Sequence, residues 1–312
     1  VKAVVCTRYG APGVLQIRDV EKPIPKDGQV LIKIYATAVT SSDCFVRSAI
    51  PFAPIAFQIL LRIVVGITKP RKQILGIVLA GAIERAGKGV TRFAVGDRVY
   101  AFTKFHFGGY AQYATLPETG TIAHAPSNLT DEEAVAIPFG GLLALYYLRK
   151  ANLRSGQRAL VYGASGAVGS IAVQLAKHFG AEVTAVCGPT NLELARSLGA
   201  DAVMDYTKER VPDAGVRYDV VFDAVGKRKT SALKTACKAA LAADGRYVSV
   251  DDGTPSLTAS DLEMLNNLVE AGKIKPVIDR RYPLEQIAQA HAYVEGGHKK
   301  GNVVISVSHD RE

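Results

Sequence analysis

The residues with the clearest chemical potential are Gly163-Ala164-Ser165-Gly166-Ala167-Val168-Gly169. They follow the apolar run ALVY and open an amphipathic segment that ends at His178. Ala164-Ser165-Gly166-Ala167-Val168-Gly169 is a GxGxxG variant with alanine at the first glycine position. In that context Gly166 lets the backbone approach a pyrophosphate, and Gly169 lets a helix pack closely on a strand. A helix N-terminus adds free N–H groups and a positive dipole end. The motif therefore implies a dinucleotide on Gly163, Ser165, Gly166, Ala167 and Val168. A site for NAD usually carries an acid about 20 residues further on, for the ribose 2′-hydroxyl. Here that place reads Cys187-Gly188-Pro189-Thr190-Asn191, without a carboxylate to repel a 2′-phosphate. Thr190 and Asn191 can donate hydrogen bonds, and Arg196 and Lys208 are the nearest basic residues. NADPH is favoured over NADH, although Arg196 and Lys208 also read as solvated surface charges.

Elements able to hold such a turn surround it. Alternating strand and helix patterns run from ALVYGA through EVTAVC, LELARSLG, AVMDY, YDVVFDAVG and SALKTACKAALAA to GRYVSV. This alternation predicts a parallel sheet covered on both faces. DEEAVAIPFGGLLALYYLRKANL, beginning at Asp131, reads as one helix with acids in its first turn. Ser260 and Glu263 have the spacing of a capping box for the helix SDLEMLNNLVEAGK. QIAQAHAYVEGG reads as another helix and NVVISV as a last strand. Before about His124 the pattern is mostly β, with VLIKIYATAV alternating at period 2 and glycines breaking the strands.

The 312 residues allow two domains, and 48% hydrophobic with 21% charged residues is ordinary for a folded protein. The formal charge of +9 favours anionic small molecules, but no run of like charges marks a specific nucleic-acid surface. Cys6, Cys44, Cys187 and Cys237 have no CxxC spacing, so reduced thiols in a cytoplasmic protein are expected. The chain starts directly on a strand with no signal-like apolar core, and without an initiator Met, which suggests processing or trimming. Ile50 to Lys72 is strongly apolar and ends in basic residues. Interrupted by Pro51, Pro54, Arg62 and Gly66, it is a poor membrane span. It reads as a core-packing helix, an apolar wall for a substrate, or a peripheral membrane contact.

Several blocks together resemble the medium-chain dehydrogenase/reductase superfamily, in particular its zinc-free quinone oxidoreductase branch. They include VKAVVCTRYGAPGVLQIRDVEKPIPKDGQVLIKIYATAVTSSD, GIVLAGAIERAGKGVTRFAVGDRVYAF, GGYAQYATLPE, the glycine-turn block, RSLGADAVMDYTKE, DVVFDAVG and the C-terminal GKIKPVIDRRYPLEQIAQAHAYVEGGHKKGNVVISV. They cover nearly the whole chain in the right order. The resemblance implies an α/β fold: a Rossmann doubly wound parallel sheet plus a GroES-like irregular β-barrel catalytic domain. The Rossmann domain would span 125–271 and the catalytic domain 1–124 plus 272–312, with a cleft between them. It adds Cys187, Gly188, Tyr206, Val225 and Lys299 to the cofactor set, Tyr206 by the adenosine part.

Zinc-dependent relatives carry a cysteine where Thr40 stands, and His-Glu where Ile77-Val78 stand. The four-cysteine lobe is missing too, while His106 and His124 are isolated. Zinc needs three or four converging N, S or O ligands, so no zinc is expected. Without a metal Lewis acid, reduction of a quinone or an α,β-unsaturated carbonyl is easier than oxidation of a simple alcohol. The expected activity is thus a zinc-independent, NADPH-dependent oxidoreductase acting on such electrophiles. An NADP(H)-dependent enzyme of the alcohol dehydrogenase kind and a weakly catalytic NADPH-binding sensor remain as alternatives.

The branch often shows Asn-Pro-Val-Asp-x-Tyr near the nicotinamide; here Thr40-Ser41-Ser42-Asp43-Cys44-Phe45 stands instead. Phe45 removes the obvious proton donor. Thr40, Ser42, Phe45 and Tyr110 are the catalytic-side residues expected, with His106 as a further donor, and Arg47 is read as a loop anchor or a surface charge. After GRYVSV the chain leads almost at once into the next helix. Five parallel strands are legible, and the usual sixth, which in the family pairs across a homodimer, is missing or very short.

Overall fold

The computed structural model describes residues 1–48, 65–67, 69–208, 215–226 and 232–309. Most of Ile50–Lys72 lies outside them. Along the chain the strands are β1 (Lys2–Cys6), β2 (Leu15–Asp19), β3 (Gln29–Val39), β4 (Val78–Ala86), β5 (Arg98–Phe102), β6 (Tyr113–Pro117), β7 (Ile122–His124), β8 (Arg158–Tyr162), β9 (Glu182–Cys187), β10 (Ala202–Asp205), β11 (Tyr218–Asp223), β12 (Leu241–Ser249), β13 (Ile278–Pro283) and β14 (Asn302–Ser306). The chain divides into two units, Val1–Pro138 with Ile278–Glu312, and Phe139–Val277.

The first unit is built on β3. Its eleven residues are too many for one partner, so its segments pair differently: Gln29–Lys33 with β6, Val30–Thr37 with β4, and Ala36–Val39 with β14. The mixed sheet runs β13-β14-β3-β4-β5-β7 with β6 beside β3, and β1 and β2 form a separate antiparallel pair. β3 is buried along most of its length and leads directly into Thr40 and the Ser41–Ser48 helix. Thr40 caps that helix, its hydroxyl accepting the N–H of Asp43 at 3.2 Å.

The second unit is a parallel sheet in the order β10-β9-β8-β11-β12. That is the 3-2-1-4-5 order of a doubly wound fold, with the reversal between β8 and β11. The five expected strands are all present, and β12 is the last strand of this sheet among the described residues. β8, β9 and β11 are buried almost throughout, as a sheet covered on both faces requires. The Ala167–His178 helix buries every residue from Ala167 to Ala176. Leu233, Cys237 and Ala240 pack with Leu160, Tyr162, Val186 and Val221. No helix among the described residues is long and apolar enough to cross a membrane.

Three sequence expectations need correction. The helix read from Asp131 is two: Asp131–Ala134, with Thr130 and Glu133 forming a capping box, and Pro138–Lys150. Pro138 disfavours the helical conformation of the residue before it and suits a helix start. Among the described residues, the segment SALKTACKAALAA is helical over Ala232–Ala239, and Leu241 already belongs to β12. β12 then bulges between its Leu241 and Arg246 pairings, around Asp244-Gly245, so its apolar start looks helical in sequence. The capping box of the Ala259–Glu270 helix is Thr258 with Asp261, two residues before the Ser260–Glu263 pair. Thr258 Oγ1 and Asp261 Oδ2 are 2.7 Å apart, and Asp261 N–H donates to Thr258 Oγ1 at 3.2 Å. Thr258→Ala should accordingly cost about 1 kcal/mol in urea unfolding. Ser260→Ala should stay within about 0.5 kcal/mol.

Candidate functional site

The glycine turn lies at the reversal point of the parallel sheet, where such folds bind ligands. Gly163 leaves β8 at φ +83°, and a Cβ there would sit 2.4 Å from Val225 Cγ2. The turn after β8 and the loop after β11 are therefore in contact. The N–H groups of Gly163 and Ala164 both donate to the Val186 carbonyl, at 2.9 and 3.0 Å. Gly166 is the N-cap of the Ala167–His178 helix and brings no side chain to it. The first N–H groups of that helix are therefore left for an anion. A Cβ on Gly166 would find only the Gly163 carbonyl, at 3.5 Å, whereas one on Gly169 would meet that oxygen at 2.1 Å. Gly169 thus sets the helix–strand approach, and Gly166 keeps the space above the turn open.

The other residues of the predicted cofactor set gather around the ends of β9 and β10. Cys187 and Gly188 are buried, and the Tyr206 ring lies against Gly188, 3.4 Å from where a Cβ would be. Tyr206 is 42% exposed, more open than a half-buried strand-end tyrosine, because it begins a single helical turn beyond β10. Asn191 Nδ2 donates to Ser165 Oγ at 3.3 Å, while Asn191 Oδ1 is buried with no partner. Thr190 is exposed. Burial raises the Cys187 thiol to about 11. Cys187–Asn191 carries no acid, but the parallel register sets Asp205 beside Cys187. Asp205 accepts from Thr207 N–H and its hydroxyl at 2.9 and 2.8 Å, which hold its pKa below the ordinary value. Its second oxygen, Oδ2, is buried without a partner. Two orphaned acceptors and an open helix N-terminus fit the hydroxyls and phosphates of a dinucleotide.

Asp223 is a residue that sequence reasoning missed. It is buried at the end of β11 and accepts from the N–H groups of Val225 and Gly226 at 3.0 and 3.1 Å. Its other oxygen meets Lys234 at 2.6 Å and the Tyr247 hydroxyl at 2.9 Å. This carboxylate fixes the loop that presents Val225. Its only sequence signal was the polar ending of an apolar strand, YDVVFD.

The remaining residue of the predicted cofactor set is Lys299. It lies in the first unit, where its amine donates to the Gly301 carbonyl and burial lowers its pKa to about 8.

Within the first unit, Thr40 and Tyr110 come together around Asp43. Asp43 is fully buried, accepts the Thr40 N–H at 2.9 Å and the Gly76 N–H at 3.2 Å, and has Thr40 Oγ1 at 2.6 Å. Burial raises Asp43 to about 6 against the opposing pull of its donors. Tyr110 is fully buried, and desolvation raises its pKa well above the ordinary value. A phenol so enclosed has no access to solvent. Ser42 and Phe45 are half-buried on the same short helix. Arg47 is fully buried, not a surface charge; it donates to Gly10 O and pairs with Glu295. His106 and His124 are exposed, and no three or more His, Cys, Asp or Glu converge as a metal set among the described residues. Ile77 and Val78 are buried apolar residues.

A reversal-point glycine turn on one unit and a β-rich unit formed from both chain ends define a medium-chain dehydrogenase/reductase. Residues 26–127 match the family described as alcohol dehydrogenase GroES-like domain, and 167–272 and 254–305 match families described as zinc-binding dehydrogenase. The chain is 35% identical to the 2-methylene-furan-3-one reductase of Solanum lycopersicum, over 97% of this chain and 78% of that one. It is 33% identical to the chloroplastic NADPH-dependent alkenal/one oxidoreductase of Arabidopsis thaliana, over 97% and 79%. The quinone oxidoreductase structure from Coxiella burnetii shares the fold, with a TM-score of 0.82 at 24% identity over 98% of this chain and 99% of that one. The chain belongs to the quinone oxidoreductase branch of the medium-chain dehydrogenase/reductase superfamily.

Proposed function

We propose that this protein is a zinc-independent, NADPH-dependent reductase of quinones or α,β-unsaturated carbonyls. The observation that carries the reading is the open glycine turn with Asn191, Asp205 and Tyr206 around it. The names of two relatives, a furanone reductase and an alkenal/one oxidoreductase, support the acceptor class. When bound, the reduced nicotinamide supplies a hydride. The chain's own part is to hold and orient. Ala167 and Val168 offer backbone N–H groups to the pyrophosphate, while the Gly166 N–H closes the turn on the Gly163 carbonyl at 3.1 Å. Asn191 and Tyr206 receive the adenosine ribose, and Thr190 with Lys208 favours a 2′-phosphate. Asp205 opposes that phosphate, so NADH is expected to bind as well, more weakly.

On the acceptor side, Thr40, Ser42 and Phe45 are the proposed residues. The Thr40 hydrogen is committed to Asp43, and Phe45 has no hydroxyl, so Ser42 or water supplies the proton. Tyr110, being enclosed, acts on the Thr40 turn and not on substrate. Thr40, Ile77 and Val78 offer no soft or nitrogen ligand, which supports chemistry without zinc.

The test is the absorbance of the reduced nicotinamide with NADPH and NADH in parallel. A naphthoquinone, cyclohexenone and an alkenal are each tried with and without chelator. Chelator-insensitive oxidation, faster with NADPH, is expected. Turnover only after zinc addition, or none with any acceptor, would overturn the reading.

A further inference from the structure

Three fully buried side chains, Asp43, Tyr110 and His291, lie in one file, with Tyr110 hydrogen-bonded to His291 and interacting with Asp43. Its direction is fixed by chemistry. A guanidinium only donates, so Arg47 Nε–H donates to His291 Nδ1, at 3.3 Å. Cys44 Sγ lies 3.5 Å from the same nitrogen. With Nδ1 accepting, the neutral ring carries its hydrogen on Nε2, 3.1 Å from Tyr110 Oη. The phenol oxygen accepts there, and its single O–H is left for Asp43, whose charge the neighbouring phenol stabilises. Asp43 spreads its remaining capacity over Thr40 and Gly76.

We propose that His291, held as the Nε2–H tautomer, is a positioning residue: through Tyr110 and Asp43 it fixes the Thr40–Asp43 turn that carries Ser42 and Phe45. The proposal rests on the reductase reading for its catalytic consequence, not for its geometry. The file explains why the Ile287–Glu295 helix matters to a turn some 250 residues earlier. Arg47 is clamped on its far side by Gly10 O and Glu295, so the donor to Nδ1 cannot swing away. Burial, then the Arg47 charge, lowers His291 to about 3, which keeps the ring neutral and the direction constant. The titratable groups around the file are Arg47, Glu295 and Cys44, with Cys6 near Arg47 and Lys299 near Cys44.

The test compares His291→Asn with His291→Gln in the full chain. An asparagine amide reaches only the Nδ1 position and keeps an acceptor for Arg47. A glutamine amide reaches the Nε2 position and keeps a donor for Tyr110. The pH midpoint of Asp43 is read by carboxyl 13C NMR, assigned with Asp43→Asn. It should rise by about 1 in His291→Asn, as a donor to the charged form is weakened, and stay native-like in His291→Gln. kcat should fall about tenfold in His291→Asn with KM unchanged, and be retained in His291→Gln. In the native protein, ring 15N shifts should show a protonated Nε2 and a bare Nδ1, whatever the variants' folding. A protonated Nδ1, equal Asp43 midpoints in the two variants, or an unchanged kcat beside a shifted midpoint would each overturn the proposal. The NMR results need no acceptor. A protein with the expected file and no turnover would sink the reductase reading alone.

Discussion

Alanine at Gly169 is expected to cost the fold about 3 kcal/mol or more, whereas alanine at Gly166 should leave stability unchanged and weaken the dinucleotide. The two glycines are three residues apart on one helix start, yet their surroundings differ. A Cβ on Gly169 would lie 2.1 Å from the Gly163 carbonyl and 2.8 Å from Ala164 Cα, both backbone atoms of the turn. Neither can rotate aside, so the helix must move off β8. That helix buries ten consecutive residues, and displacing it loosens much of the second unit's packing. Gly166 has φ −78° and ψ 175°, a conformation open to any residue, and its Cβ would make only a 3.5 Å contact. The added methyl instead fills space that a pyrophosphate needs to reach the helix N–H groups. Thermal melts should separate the two: a large fall in Tm for Gly169→Ala and none for Gly166→Ala. NADPH titration by fluorescence should show affinity reduced at least about tenfold in Gly166→Ala. Native affinity in that variant would mean the turn is only a packing device.

The second unit was largely readable because its signals are local. Apolar runs of four to six residues, glycine punctuation and amphipathic helices set the strand order within short stretches, and the motif itself spans seven residues. Boundaries failed where two local rules competed. Leu241-Ala242-Ala243 continues a helical pattern in sequence, but the bulge at Asp244-Gly245 draws it into β12. The sequence does not mark Asp205 as a cofactor-side acid, for another reason. Its place beside Cys187 comes from strand pairing, 18 residues away along the chain, not from the glycine spacing that defines an NAD acid. In the first unit, Thr40 and Asp43 stand out within one helix cap, while Tyr110 and His291 lie 67 and 248 positions from Asp43. A single histidine in QIAQAHAYVEGG carries no periodic mark that separates it from a surface residue. Only the folded arrangement shows that it is buried against Arg47.

The pH dependence of stability should change sharply in Asp43→Asn. Burial and Arg47 lower His291 from its ordinary 6.5 to about 3. Below about pH 6.5 the unfolded chain therefore binds a proton that the native ring refuses. Stability drains away as pH falls, at about 1.4 kcal/mol per pH unit. Asp43 has the opposite sign. Its pKa is raised by burial from 3.8 to about 6, so the native carboxylate takes up a proton between those values while the unfolded one does not. That contribution grows as pH falls and is lost as pH rises through 6. Between about pH 6 and 4 the two contributions nearly cancel in the native protein. Asp43→Asn removes one of them and leaves His291 unopposed. Whatever its stability at pH 7, the variant should lose about 2 kcal/mol relative to the native protein from pH 6 to pH 4. His291→Gln should show the reverse, gaining about as much over the same window. Urea unfolding at pH 6, 5 and 4 measures both slopes, and a common loss of packing at pH 7 drops out of each. Parallel curves for Asp43→Asn and the native chain would mean that the buried carboxylate and imidazole do not hold the protonation states that the file requires.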